Sequence, residues 1–323
     1  MVYHNLKHFF FYLACIVLIQ ICISCGSSET NKVSQHEIQK TPLTQLSEDI
    51  LREPYKASLY FKRAQLHVAG KDFKNAFVDI HKAIELDSTQ ADFYALLGDL
   101  NFSFNQIPDA RQSFEKCLVL DAGRIEALLK LGQIFLYLKQ YENSIAKIDR
   151  VIQIDAHNPQ AYFIKGMNFK EMKDTAKALS SFQTTIEQNP DYYAAYIQLG
   201  LIYAKRKNKL AAEYYKAALH LEPKSAEANY NLGLFFQENY DIDAALKYYN
   251  DLTQLYPNHK NAWFNLGYIY HMYKKNYKTA ISYYTYALRC DTGYTEARHN
   301  RELVYELMKK QSMNQPSFMK KRE

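Results

Sequence analysis

The stretch Ala262-Trp263-Phe264-Asn265-Leu266-Gly267-Tyr268-Ile269-Tyr270 places Leu266, Gly267 and Tyr270 three, four and seven residues after Trp263. Those offsets put all four on one face of a helix. Glycine weakens a helix interior, so Gly267 on the apolar face marks a place where another element comes close. The pattern recurs upstream as Tyr94, Leu97, Gly98; Leu128, Leu131, Gly132; Tyr196, Leu199, Gly200; and Leu232, Gly233, Phe236. Gly98, Gly132, Gly166 and Gly200 follow one another at 34-residue intervals.

Each copy is followed by a second apolar segment with a small residue and then a large one, as in Ala76 with Ile80, Ala110 with Phe114 and Ala178 with Phe182. Pro190, Pro223 and Pro257 fall at the ends of units, where proline cannot continue a helix, and Asp87, Asp121 and Asp155 occupy the related turns. A 34-residue helix-turn-helix period with Trp, Leu, Gly and Tyr in these slots resembles the tetratricopeptide repeat family. The resemblance implies an all-α solenoid, a right-handed superhelix of seven units at 57–90, 91–124, 125–158, 159–192, 193–225, 226–259 and 260–294. The fifth unit is one residue short around Lys205 to Leu210 and the seventh one long around Lys274 to Lys278, both where the two helices of a unit join. Residues 43–56, with Leu43, Leu46 and Ile50, read as a helix capping the first unit. Residues 295–310 begin in register with Ala297 and Asn300, then combine an apolar stripe, Leu303 and Leu307, with Glu302, Glu306, Lys309 and Lys310. That mixture suits a C-terminal capping helix, and 311–323 read as a polar tail.

Composition narrows the function. Ten Gly and eight Pro in 323 residues, with 48% hydrophobic content, favour packed helices over strands or disorder. The net charge of +6 is spread among interleaved acids and bases, which disfavours a nucleic-acid surface. The chain shows no His-Glu-x-x-His, no phosphate-binding glycine loop and no Gly-x-Ser-x-Gly elbow, so no catalytic residue, metal ligand, cofactor or small-molecule substrate is expected. Cys117 and Cys290 stand at positions usually held by small core residues and are expected to be buried free thiols.

The N-terminus has a different character. Lys7 precedes sixteen residues, Phe9 to Ser24, among which only Gln20 and Ser24 are clearly polar. As a helix this run reaches about 24 Å, short of a membrane span, and so reads as a signal peptide over 1–24. Cys22-Ile23-Ser24-Cys25-Gly26 resembles the lipobox of bacterial, Bacteroidetes-type lipoproteins, with Cys22 departing from the usual leucine. That resemblance implies lipidation of Cys25 and attachment to the cell envelope, at the outer membrane and facing the periplasm. An uncleaved anchor is the alternative. Residues 25–42 are polar and read as a tether.

In the family, the first helix of each unit lines the concave groove and binds protein or peptide segments. Mapped here, the fifth position of each unit includes Phe163, Tyr230, Phe264 and, in the capping helix, His299. These residues either face a partner or pack between units. The sixth position reads Gln198, Asn231, Asn265 and Asn300. A row of amides can hold an extended peptide backbone, and it resembles the asparagine ladder of peptide-binding members. The alternative is that asparagine is simply the habitual residue before Leu-Gly. Tyr268 completes the expected groove. A scaffold of this kind binds a partner transiently along the groove. The other expectation is a permanent subunit of an envelope complex, packed through a tyrosine-rich convex face.

Overall fold

A computed structural model describes residues 41–313, which contain sixteen helices and no strand. The expected signal peptide, Cys25, most of the expected tether and the end of the expected tail lie outside the described residues. The chain divides between Glu48 and Asp49 into two units, and helix α1 (Pro42–Arg52) crosses that division. The second unit holds seven helical hairpins: α2 (Ala57–Ala69) with α3 (Phe73–Leu86), α4 (Ala91–Ser103) with α5 (Ile107–Leu120), α6 (Ile125–Tyr137) with α7 (Tyr141–Ile154), and α8 (Pro159–Glu171) with α9 (Thr175–Gln188). It continues with α10 (Tyr193–Lys205) and α11 (Leu210–Leu221), α12 (Ala226–Glu238) and α13 (Ile242–Leu255), α14 (Lys260–Met272) and α15 (Tyr277–Cys290), and ends in α16 (Thr295–Met313).

Six of the seven hairpins close on a glycine, and the first has the buried Ala64 in that place. A Cβ on Gly200 would lie 2.4 Å from the Tyr215 ring, and one on Gly267 would lie 2.7 Å from that of Tyr284. The first helix can therefore approach the second only where the side chain is absent. Between hairpins, Asp87, Asp121, Asp155, Asn189 and Asp291 each accept a hydrogen bond from the backbone N–H two residues on. This Asx turn stops one hairpin and aims the next. The second helices are capped by Asp72, Asp174, Asp241 and Asn276, whose side chains accept from the N–H three residues later.

The two irregular units absorb their length changes locally. In the short fifth unit, Ala211 and Ala212 donate to carbonyls three residues back, on Asn208 and Lys209, instead of four. That tighter turn takes up the missing residue. In the long seventh unit, Lys274 donates to the Ile269 carbonyl and Asn276 to that of Tyr270, a wider loop that accommodates the extra one.

In each hairpin turn a residue one or two before the second-helix cap adopts a positive φ without being glycine: Lys71, Asn105, Lys139, Lys173, Lys207, Tyr240 and Lys275, at φ 52 to 63°. Left-handed backbone costs an ordinary residue about 1 kcal/mol or more. Lys139→Gly, at an exposed side chain with no bonded partner, is expected to stabilise the protein by about 0.5 to 1 kcal/mol. The check is a higher urea midpoint at unchanged slope; a lower midpoint sinks it.

Two expectations need correction. Cys117 is fully buried, but Cys290 is half-exposed at the end of α15, its Sγ 3.5 Å from the Pro257 carbonyl oxygen. In α16 the buried side chains are Ala297 and Val304, while Leu303 stands open to solvent. Val304 thus replaces Leu303 on the capping stripe, while Leu307 stays half-buried on it.

Candidate protein-binding face

Successive first helices touch one another, α6 with α8, α10 with α12 and α14 with α16, whereas second helices meet chiefly their own partner and the next first helix. The first helices therefore crowd onto the inner, concave side. Three positions of each can reach that side.

At the fifth position the rings turn sideways into the stack. Phe163 lies between Phe182 (5.6 Å) and Tyr192 (5.0 Å), Tyr230 between Tyr249 (6.1 Å) and His259 (5.4 Å), and Phe264 between Tyr284 (5.6 Å) and Tyr294 (5.3 Å). Each ring wedges its own second helix against the residue leading into the next unit. These contacts are the packing alternative of the two expected roles, and each ring remains half-exposed. His299 is exposed on α16.

The sixth position tells a similar story. Asn265 is 8% exposed and donates from Nδ2 to the Tyr249 hydroxyl at 2.9 Å. Tyr249 comes sixteen residues earlier and is wholly buried, so the amide satisfies a phenol that packing has cut off from water. Asn231 follows Tyr215 and Asn300 follows Tyr284 at the same interval, whereas Ile80, Phe114, Ile148 and Phe182 are followed there by Leu96, Lys130, Ile164 and Gln198. Asparagine thus accompanies a buried tyrosine in the preceding unit. Asn265 cannot serve as a peptide-facing rung. Asn300 donates to the Glu296 carbonyl and Gln198 accepts from Lys170 Nζ at 2.9 Å, while Asn231 stays half-exposed.

The ninth position, of which only Tyr268 was anticipated, faces outward. Met167, Leu201, Leu234, Tyr268 and Leu303 form a row on consecutive first helices, with Leu201 39% and Leu303 43% exposed. The earlier units carry Gln65, Asp99 and Gln133 instead. Beside the row, Tyr273 makes edge contacts with Tyr268 and Tyr240, and Met272 is exposed. The inner face is therefore polar in its first third and apolar beyond. A one-residue-per-unit tally of the ninth position would have revealed this from the sequence.

The second-helix side absorbs its tyrosines. Tyr214 stacks on Tyr203, Tyr248 on Phe236 and Tyr283 on Trp263, filling gaps within hairpins. Among the described tyrosines within second helices, only Tyr286, itself stacked on Trp263 and covered by Arg289, remains substantially open.

Two histidines are expected to make the seventh hairpin acid-sensitive. His259 Nδ1 accepts from the Ala262 N–H, capping α14, and burial lowers its pKa. His271 is buried with Nδ1 unpartnered; burial, then Lys275, lowers its pKa as well. Both are neutral when folded and protonate more readily when unfolded. Their contribution is intact above the ordinary histidine pKa of about 6.5 and is lost as pH falls through the depressed folded values. Urea midpoints are expected to drop between pH 7.5 and 5.5, and His259→Asn, which keeps a capping acceptor, is expected to flatten the drop. An unchanged slope in that variant would remove His259 from the account.

Helical hairpins stacked around an open inner face define a protein-interaction scaffold. Profiles described as tetratricopeptide repeat match residues 125–158, 160–192, 204–241 and 236–295, and the chain is a tetratricopeptide repeat protein. Similar solved structures include PilF of Pseudomonas aeruginosa, at 21% identity over 62% of this chain and 92% of that one, with a TM-score of 0.55. PilW, a widely conserved type IV pilus biogenesis factor, is 16% identical over 62% and 94%, TM-score 0.57. The C-terminal part of a repeat protein from Cytophaga hutchinsonii is 20% identical over 68% and 91%, TM-score 0.54. At these identities the likeness concerns the fold. A comparison with curated proteins finds no match.

Proposed function

We propose that the protein is a membrane-tethered scaffold that binds a segment of a partner protein along the inner face of its later units. The observation that supports this reading is the row Met167, Leu201, Leu234, Tyr268 and Leu303, in which Leu201 and Leu303 are exposed and the other three half-exposed. Half-exposed Asn231, three residues before Leu234 on the same helix, can serve as a donor and acceptor for a peptide backbone. The tether rests on the lipobox-like Cys22 to Gly26, with Cys25 as the lipidated residue and the envelope as the location. The reading includes no catalytic role. The competing arrangement, a permanent complex through the convex side, is less favoured because the second-helix tyrosines are engaged in internal stacks.

Photocrosslinking residues placed singly at Leu234 and Tyr286 compare the two faces. A discrete adduct from position 234 and none from 286 is the expected result; the reverse would shift the assignment to the convex side. Separately, Cys25→Ala is expected to abolish incorporation of labelled fatty acid and release the protein from membranes. Unchanged labelling would end the lipoprotein reading.

A further inference from the structure

We infer that the inner face carries an anion-recognising subsite between the fourth and fifth units, which selects a partner segment with an acidic side chain beside apolar ones. The inference rests on the inner-face reading above and specifies its partner. A cavity of about 500 Å³ opens between α8, α9 and α10. Its apolar lining is Ala178, Leu201 and Ile202, and its cations are Lys170, Lys173, Lys205 and Arg206.

Three features give it a chemical preference. First, no carboxylate lines it, and Asp174, next to Lys173, is taken by the backbone N–H and ammonium of Lys177. Second, Lys173, Lys205 and Arg206 have no ion-pair partner among the described residues, whereas Lys130 and Lys165 on neighbouring first helices pair with Asp99 and Asp149. Third, Gln198 accepts from Lys170 Nζ at 2.9 Å, which leaves its NH2 as the group on offer. Apart from the Thr175 hydroxyl, every polar side chain around the cavity is therefore a donor. A carboxylate is an acceptor only and complements this set. Continuity with the rest of the face favours a peptide over a free ion: Leu201 belongs both to this cavity and to the apolar row. The run from 203 to 212 adds Lys207 and Lys209 and contains no acid, which extends the field that steers an anionic chain toward the cavity.

The test uses the folded chain and two fluorescein-labelled decapeptides, one alternating leucine with glutamate and the other leucine with glutamine. Anisotropy is expected to show the glutamate peptide binding at least about tenfold more tightly, with the preference fading at high salt. The triple variant Lys173→Ala, Lys205→Ala, Arg206→Ala is expected to lose that preference. A charge-matched control, Lys216→Ala, Lys247→Ala, Lys278→Ala, on second helices keeps it. Circular dichroism confirms that both variants fold. Equal binding of the two peptides, or full binding by the first triple variant, overturns the subsite. If Leu234→Ala with Tyr268→Ala still weakens both peptides in that case, the inner-face reading survives alone. No binding of either peptide to the unaltered protein counts against both. Displacement of the peptide by inorganic phosphate or phosphatidylglycerol vesicles, dependent on the same three cations, shows an unselective anion site and overturns the peptide assignment.

Discussion

Tyr249→Ala is expected to lower stability by about 4 kcal/mol, the range for removing a large buried ring from a core. Tyr249 is wholly buried among Leu252, Leu266 and Ile269, with its ring against Gly233, where even a Cβ would come within 2.5 Å. Burial drives its phenol far above the ordinary tyrosine pKa, so the ring stays neutral and its hydroxyl is held by Asn265. Tyr249→Phe separates packing from polarity: it is expected to cost about 1 to 2 kcal/mol, because the Asn265 amide loses its partner in a buried place. Adding Asn265→Leu to Tyr249→Phe is expected to recover most of that loss, since removing both partners leaves nothing unsatisfied. In a stack held by nearest-neighbour contacts the damage stays local. Hydrogen exchange should therefore rise across 226–290 and change little across 91–154. If the Tyr249→Phe, Asn265→Leu pair is worse than Tyr249→Phe alone, the asparagine has another role and its place in the binding face returns to consideration.

That coupling also shows where the sequence stops being readable. The hairpins could be located because glycine or alanine at the eighth position and a large residue sixteen further on are demanded by one contact repeated along the chain. Gly166 against Phe182 and Gly233 against Tyr249 are two instances of it. A polar residue beside such a contact has two destinations. Asn265 turns toward the preceding hairpin and Asn231 stays half-exposed, although both precede Leu-Gly. Asn265 is held by the Tyr249 hydroxyl, a contact made on another helix, which the local pattern around the asparagine does not contain. Phe163 and Phe264 escaped for a related reason. Their position is at the edge of the concave face, and the rings of Tyr192 and Tyr294 just before the next helix draw them into the stack. Val304 took the buried place from Leu303 because register, set by Ala297 seven residues before, outweighs side-chain size.

The first hairpin rests on a different contact, and breaking it is expected to cost about 3 kcal/mol. Arg63 stands at the seventh position, where later units place Leu97, Leu131, Leu199, Leu232 and Leu266. It forks onto Asp79, with Nε donating to Oδ2 at 2.7 Å and Nη2 to Oδ1 at 2.6 Å; His67 Nε2 lies 3.6 Å from Oδ2. Asp79 is only 2% exposed. Two charges removed from water in this way add little net stability as a pair, yet each is costly to leave without the other. Asp79→Asn keeps the shape, but turns an NH2 toward donors that need an acceptor, so one of the two bonds becomes a donor-donor clash. The outer side of Arg63 reaches solvent, which moderates the loss toward the low end for buried pairs. Replacing both, Arg63→Leu with Asp79→Leu, is expected to restore stability to within about 1 kcal/mol of the original by giving the hairpin the apolar contact its neighbours use. Because the hairpin lies at one end of the seven, Asp79→Asn should raise hydrogen exchange in 57–86 before any other part of the stack opens. If the double variant is instead less stable than Asp79→Asn, the ion pair is fixing the geometry of the first hairpin in a way leucine cannot replace.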